Sequence, residues 1–203
     1  MAEMIRRTFL LGMVSSVSSC GTLSVLSEAS EPLDTYDLLP AAGSKRGKRT
    51  SRTLLVARPQ ASAALATDRI VIKPDPAAIT YLPDARWSDE LPAMLQNLLV
   101  RSISETDRVA YVGHVEGGPV PDKALLVRID RFEVEAHKDG SFEVGVDVFL
   151  SMINDRDQWV TDTRRFAQRA TIASNRTREI VTAFQAIMDV LLPEMSNWAV
   201  QQM

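Results

Sequence analysis

Ala124–Ala136 reads ALLVRIDRFEVEA, His137–Gly140 reads HKDG, and Ser141–Met152 reads SFEVGVDVFLSM. In the last of these, Phe142, Val144, Val146, Val148 and Leu150 take every second position. That is the period of a strand with one covered face and one wet face. In the first, Leu125, Val127 and Ile129 alternate, and so do Phe132, Val134 and Ala136, but the two sets differ in parity. A change of phase inside one strand predicts a β-bulge near Asp130-Arg131. Asp139-Gly140 between the two runs predicts a hairpin turn. Asn154-Asp155-Arg156-Asp157 turns the chain once more. Gln158–Ile172 then sets Phe166, Ala170 and Ile172 on one face and Arg165 and Arg169 on the other. Residues 124–172 therefore read as an antiparallel meander whose apolar face needs a cover.

Two helical segments can supply it. Leu91, Leu95, Leu98 and Leu99 fall on one stripe of a helix capped by Ser88 and running to about Ser104. Asp89 and Glu90 suit its first turn, and Pro92 is tolerated there. Ile180, Phe184, Ile187, Leu191, Met195 and Trp198 repeat at helical spacing from a Ser174 cap to about Ala199. Pro193 lies inside that run and predicts a kink or break near Leu192. Short strands are expected at 35–39, 53–57, 69–73, 78–82 and 108–112. Those at 69–73 and 78–82 form a hairpin around Pro74-Asp75-Pro76. Gly113–Asp122 is a loop. The fold class is α+β: a mostly antiparallel sheet with two main helices packed on one face, in a single domain.

Cys20 is the only cysteine. Before it stand a basic pair, Arg6-Arg7, an apolar run from Phe9 to Val17, and Val17-Ser18-Ser19; Gly21 follows. The apolar run falls within the ~7–15 residues of a secretory signal and is short of the ~20 needed to span a bilayer. An aliphatic residue three before the cysteine, with small residues between, is the site a lipoprotein signal peptidase cuts. Residues 1–19 are thus expected to be a lipoprotein signal peptide, and residues 20–34 a lipidated N-terminus and tether. The domain is expected to occupy 35–203. An ordinary secretory signal would want an Ala-x-Ala site, which is missing. Arg6-Arg7-Thr8-Phe9-Leu10-Leu11 is similar to a twin-arginine signal, so the export route stays open.

Taking away residues 1–19 removes Glu3, Arg6 and Arg7 and leaves 21 basic and 25 acidic residues, a net charge of −4. This balance does not suit nucleic acid. With Cys20 acylated no thiol remains for a disulfide, so the core alone must hold the fold. His114 and His137 have no carboxylate or cysteine at metal-ligand spacing. The chain has no Gly-x-Ser-x-Gly elbow, phosphate loop or Gly-x-Gly-x-x-Gly. The reading is a non-enzyme without cofactor or metal. Residues 41–52 (AAGSKRGKRTSR) carry Lys45, Arg46, Lys48, Arg49 and Arg52. They are a solvated loop or, alternatively, a contact for anionic lipid headgroups.

Asp68–Lys73, the following turn, Ile79-Thr80-Tyr81-Leu82, Ala85–Pro92 and the leucine helix resemble the ABC-type transport auxiliary lipoprotein family, which includes the paraquat-inducible protein C-like lipoproteins. Tyr36-Asp37-Leu38 soon after the cysteine, and Ala183-Phe184 and Trp198 in the last helix, agree with it. The resemblance implies a periplasmic lipoprotein, palmitate-bearing at Cys20. It implies partners too: an MCE-domain protein with its ABC permease and ATPase, moving lipids or hydrophobic compounds between the inner and outer membranes. Gly21 in place of aspartate favours outer-membrane sorting. Self-association stays open. The competing readings are an envelope scaffold or cofactor for peptidoglycan synthesis or secretion, and a lipid carrier with its own cavity. Trp87 and Trp198 are expected in the core; Trp159, just after a turn, is the candidate for contact with a partner.

Cys20→Ser is expected to abolish acylation and cleavage, read by mass spectrometry of the intact protein as loss of the lipid mass and retention of residues 1–19.

Overall fold

The computed structural model describes residues 33–115 and 118–203. The signal peptide, Cys20 and the tether up to residue 32 lie outside the described residues. Nine strands and two helices follow in the order β1 (Asp34–Tyr36), β2 (Thr53–Val56), β3 (Gln60–Ala61), β4 (Arg69–Asp75), β5 (Ala78–Trp87), α1 (Leu91–Ser104), β6 (Tyr111–His114), β7 (Lys123–Ala136), β8 (Phe142–Asn154), β9 (Trp159–Ile172) and α2 (Thr177–Gln201).

The meander is the frame. β7 pairs antiparallel with β8 along its whole length, and β8 pairs antiparallel with β9. The register of β7 on β8 shifts between Ile129 and Arg131, so Asp130 is the inserted residue that the phase change requires. On its other edge β7 takes three parallel partners in turn: β2 at Lys123–Leu125, β3 at Arg128–Ile129 and β4 at Glu133–Glu135. β5 pairs antiparallel with β4, β1 parallel with β5, and β6 parallel with β2. The three antiparallel pairings carry the long ladders, and the sheet is open rather than closed. The Asp139-Gly140 turn closes with Gly140 N–H donating to the His137 carbonyl (3.0 Å), and Gly140 sits at φ +84°. That value is one that glycine tolerates and side chains do not.

Both helices pack on one face of this sheet. Every residue of the two apolar stripes is buried: Leu91, Leu95, Leu98 and Leu99 on α1, and Ile180, Phe184, Ile187, Leu191, Met195 and Trp198 on α2. They meet Leu125, Val127, Ile129, Phe132 and Val134 of β7 and Val144–Met152 of β8. At the centre, Phe132 and Phe184 stack at 4.6 Å and 5°, and Trp87 meets both edge-on at 5.9 and 5.4 Å. These aromatic contacts tie β5, β7 and α2 together and add to the area that the rings bury. With its large side chains in direct contact, the layer between helices and sheet is built as a packed core rather than a carrier's hollow.

Several local expectations are corrected. α1 starts at Leu91, with Glu90 at the cap and no side-chain bond there; Ser88 Oγ instead donates to Asp37 Oδ1 (2.9 Å) and joins β1 to β5. α2 starts at Thr177, not after Ser174. It runs unbroken through Pro193, whose cost of about 3 kcal/mol is offset by Leu191, Leu192, Met195 and Trp198 buried on either side. β5 continues past Leu82 to Trp87. Pro83 is accommodated where the β4–β5 register slips between Arg69 and Val71. β6 lies three residues later than expected, and two-residue β3 carries no periodic signal at all.

Phe132→Ala removes a ring shared by two aromatic contacts and should lower the unfolding free energy by about 3–5 kcal/mol, read by urea denaturation. Gly140→Ala, at a tip with nothing within 4 Å, should cost only the strain of its φ, about 1–2 kcal/mol.

Candidate functional site

The face of the sheet turned away from the helices carries no second layer of the described chain. Glu133 on β7, Gly145 on β8, Val71 on β4 and Tyr81 on β5 form one row across it. Arg131 lies flat across Gly145: a Cβ at that glycine would stand 2.9 Å from Arg131 Cδ. A lone glycine in a clean alternation marks such a close approach. From there Arg131 Nε donates to Glu133 Oε1 (3.1 Å), Nη2 bonds Glu135, and Nη1 stands 3.8 Å from Glu143. Lys73 Nζ is 3.0 Å from Glu133, and Arg169 donates to Glu143 at 2.9 Å. Glu133 is only 4% exposed, and two cations compensate it, as a buried carboxylate requires. Burial pulls the Arg131 guanidinium down, but its bonds to Glu133 and Glu135 outweigh this and leave its pKa raised.

Further along, Arg165 grips Asp147 through Nε (2.8 and 3.1 Å), and Arg128 binds Asp130 through Nε (2.7 Å) and Nη2 (3.0 Å). The Arg128 bond holds the Asp130 carboxyl below its usual range. Phe149 lies beneath both guanidiniums, at 4.4 Å from Arg128 and 5.9 Å from Arg165. Five cations (Lys73, Arg128, Arg131, Arg165, Arg169) are thus matched by five carboxylates (Asp130, Glu133, Glu135, Glu143, Asp147). Between them Leu126, Ile79 and Tyr81 remain partly exposed. Another protein covering this part of the face would meet charges that are already paired. Beside it, β9 pairs only with β8 among the described residues, leaving one edge of a 14-residue strand open.

At one end of the molecule the balance is different. Residues 37–52 form a strap along both helices. Leu39 N–H donates to Gln185 Oε1 (2.8 Å), Ala41 N–H to Ser102 Oγ (3.2 Å) and Ser44 N–H to Asn197 Oδ1 (2.6 Å). Lys45 pairs with Asp107 at 3.0 Å, and Thr50 N–H donates to the Arg108 carbonyl at 2.9 Å. Gly47 has φ +121°, and a Cβ there would meet the Arg108 guanidinium at 2.7 Å, so the position needs glycine twice over. The strap ends where both helices end. Arg52 bonds the Met203 carbonyl and lines an open cleft of about 380 Å³ with Asp122, Lys123, Asn154 and Arg156. Lys123, Asn154 and Trp159 pair across β7, β8 and β9 as the terminal row of the meander. Trp159 is 72% exposed and Val120, in the adjoining loop, 88%.

The other expected residues fall as follows. Trp87 and Trp198 are buried, and Trp198 Nε1–H donates to Asp162 Oδ2 (3.1 Å). His114 ends β6, half-buried rather than in a loop, and His137 is exposed in the hairpin turn. Among the described residues no three His, Cys, Asp or Glu side chains gather to hold a metal, and no helix is long and apolar enough to cross a membrane. Cys20 lies outside the described residues. Sequence reading missed the Arg131 network; Gly145 was the signal that could have found it.

Protein XCC0632 from Xanthomonas campestris has a similar structure, with a TM-score of 0.75 at 22% identity over 83% of this chain and 98% of that one. The crystal structure of an uncharacterized protein matches with a TM-score of 0.61 at 17% identity, over 85% and 100% of the two chains. Likeness at these identities speaks for the fold. No curated protein matches the chain significantly. A family model described as the ABC-type transport auxiliary lipoprotein component matches residues 36–196.

Arg131→Ala would leave Glu133 buried with one cation fewer and should destabilise the protein by about 3 kcal/mol in urea denaturation. Arg165→Ala, removing a guanidinium that is more than half exposed from a largely covered Asp147, should cost less than Arg131→Ala in the same measurement.

Proposed function

The chain belongs to the ABC-type transport auxiliary lipoprotein family, and from that premise we propose that it is a membrane-anchored, non-catalytic component of an MCE-type lipid transporter. In this reading residues 1–19 are removed and Cys20 carries the diacylglycerol. The domain from residue 35 onward then works in the periplasm, most simply from the outer membrane. An MCE-domain protein with its ABC permease and ATPase moves lipids or other hydrophobic compounds between the two membranes. The auxiliary chain docks to them.

The observation that carries the reading is the family match over residues 36–196 lying directly behind the lipobox at Cys20. The geometry supports a docking role. One sheet face is filled by helices; the other offers matched ion pairs, half-exposed apolar side chains and an open strand edge, which suit a protein partner. The packed core argues against a carrier with its own cavity.

Affinity purification of the tagged, acylated protein from membranes, followed by mass spectrometry, tests this. The expected companions are an MCE-domain protein, its permease and its ATPase. Peptidoglycan synthases or secretion components without any MCE protein would overturn the reading.

A further inference from the structure

We propose that the end of the molecule formed by the basic strap, the Lys123–Arg156 cleft and Trp159 rests on an anionic phospholipid surface. The chain as a whole is acidic, with a net charge of −3, and its sheet face is charge-matched. Along the strap the charges are not. Arg46, Lys48 and Arg49 are exposed, and among the described residues Lys45 is the only member of their run in an ion pair. Around the adjoining cleft Arg52, Lys123 and Arg156 are balanced by Asp122 and by Asp155 and Asp157 on either side of Arg156, Asp157 accepting from Trp159 N–H at 3.1 Å.

A bland reading would make these cations caps for the helix C-termini, where the dipole favours them. Arg52 and Lys45 fit it: the first bonds the Met203 carbonyl, the second Asp107 beyond the end of α1. Arg46, Lys48 and Arg49 do not. Nor is their stretch a floppy tail. Ser44, Lys45, Lys48 and Thr50 are each bonded to the domain, and Gly47 is shaped to lie against Arg108. Their side chains are displayed on a fixed backbone. Across the cleft, beyond Asn154, stands Trp159, with Val120 in the loop before β7, both strongly exposed. Basic residues and an exposed tryptophan at one end fit a lipid headgroup region, where the charges meet phosphates and the indole sits among glycerol and carbonyl groups. An acidic protein would answer the charges but gives no particular reason for a bare indole at the same end.

The anchor can reach. Thirteen peptide steps lead from Cys20 to Leu33, about 45 Å at full extension. The chain enters the domain beside Ser88, at the start of α1, and the basic end lies at the other end of that 14-residue helix, about 21 Å on. Only this reach argument rests on the Cys20 anchor proposed above; the surface itself requires no particular transporter partner.

The test uses the mature chain, residues 20–203, as Cys20→Ser, so that binding owes nothing to acylation or to the basic and apolar segment before residue 20. It is mixed with vesicles of phosphatidylcholine alone, or of phosphatidylcholine with phosphatidylglycerol, and sedimented at low and high salt. Binding is expected only to the phosphatidylglycerol vesicles and should fall with salt. The triple variant Arg46→Gln, Lys48→Gln, Arg49→Gln should bind roughly a hundredfold more weakly. Its circular dichroism melt should be unchanged, since none of the three has an ion-pair partner in the described fold. Tryptophan emission should shift blue on binding, and Trp159→Ala should abolish the shift because Trp87 and Trp198 are already buried. Equal binding to neutral vesicles, or a triple variant that binds like the parent, would overturn the proposal. So would displacement by inorganic phosphate at matched ionic strength, which would mark a phosphate site instead. Retained vesicle binding with loss of transporter co-purification in Trp159→Ala would also overturn it, assigning this end to a protein.

Discussion

One inserted residue, Asp130, sets the arrangement of everything else. β7 is the strand on which the sheet is assembled, paired with β8 on one edge and with β2, β3 and β4 in succession on the other. Without the bulge, a strict alternation beginning at Leu125 would aim Phe132 and Val134 at solvent and Arg131 and Glu133 at the helices. With it, all five apolar residues face one layer, and Arg131 falls on the other side. There it can lie across Gly145 and compensate Glu133. The aromatic cluster and the ion network are thus two consequences of the same local distortion. Phe132 locks the helix layer to the strand two residues beyond the bulge, and Arg131 organises the opposite face.

That division of faces explains how the protein could tell one partner from another. Its core is closed by Trp87, Phe132 and Phe184, three rings drawn from a strand edge, the central strand and the last helix. Its outer sheet face is a lattice of salt bridges holding long side chains in place, with little net charge to attract an ion. Its basic end is the reverse: cations without partners on an ordered strap, and an indole in solvent. A surface for a protein and a surface for a lipid headgroup make different electrostatic demands, and the two proposed surfaces lie in separate places.

The sequence revealed what periodicity can encode. The meander, its bulge, the Asp139-Gly140 turn and both helix stripes are patterns of side-chain direction, and burial makes side-chain direction visible. Connections between strands far apart in sequence are not encoded that way. The parallel pairings of β2, β3 and β4 on β7 follow from topology, and β3 is too short to show a period. Ser88 and Ser174 have the chemistry of helix caps, yet Ser88 is drawn to Asp37, and only tertiary structure decides such competition. Pro193 predicted a break that packing overrides. Ile79 and Tyr81 alternate as a strand should, but the side they share is the outer one. Of the interaction surfaces, Trp159 was legible because an aromatic beside a polar turn lacks an evident core role. The ordered presentation of Arg46, Lys48 and Arg49 was not, because bonds to Ser102, Asn197 and Arg108 join residues far apart in the chain.

The central functional claim is that the helix-free sheet face, and not the helix layer, meets the transporter. Photo-cross-linking in cells addresses it directly, with a photoreactive residue placed at Ala167, exposed on the outer face midway along the edge strand β9, or at Val190, exposed on α2. The account predicts cross-links to the MCE-domain protein from position 167 and none from position 190. Cross-links from position 190 with silence at 167 would contradict it.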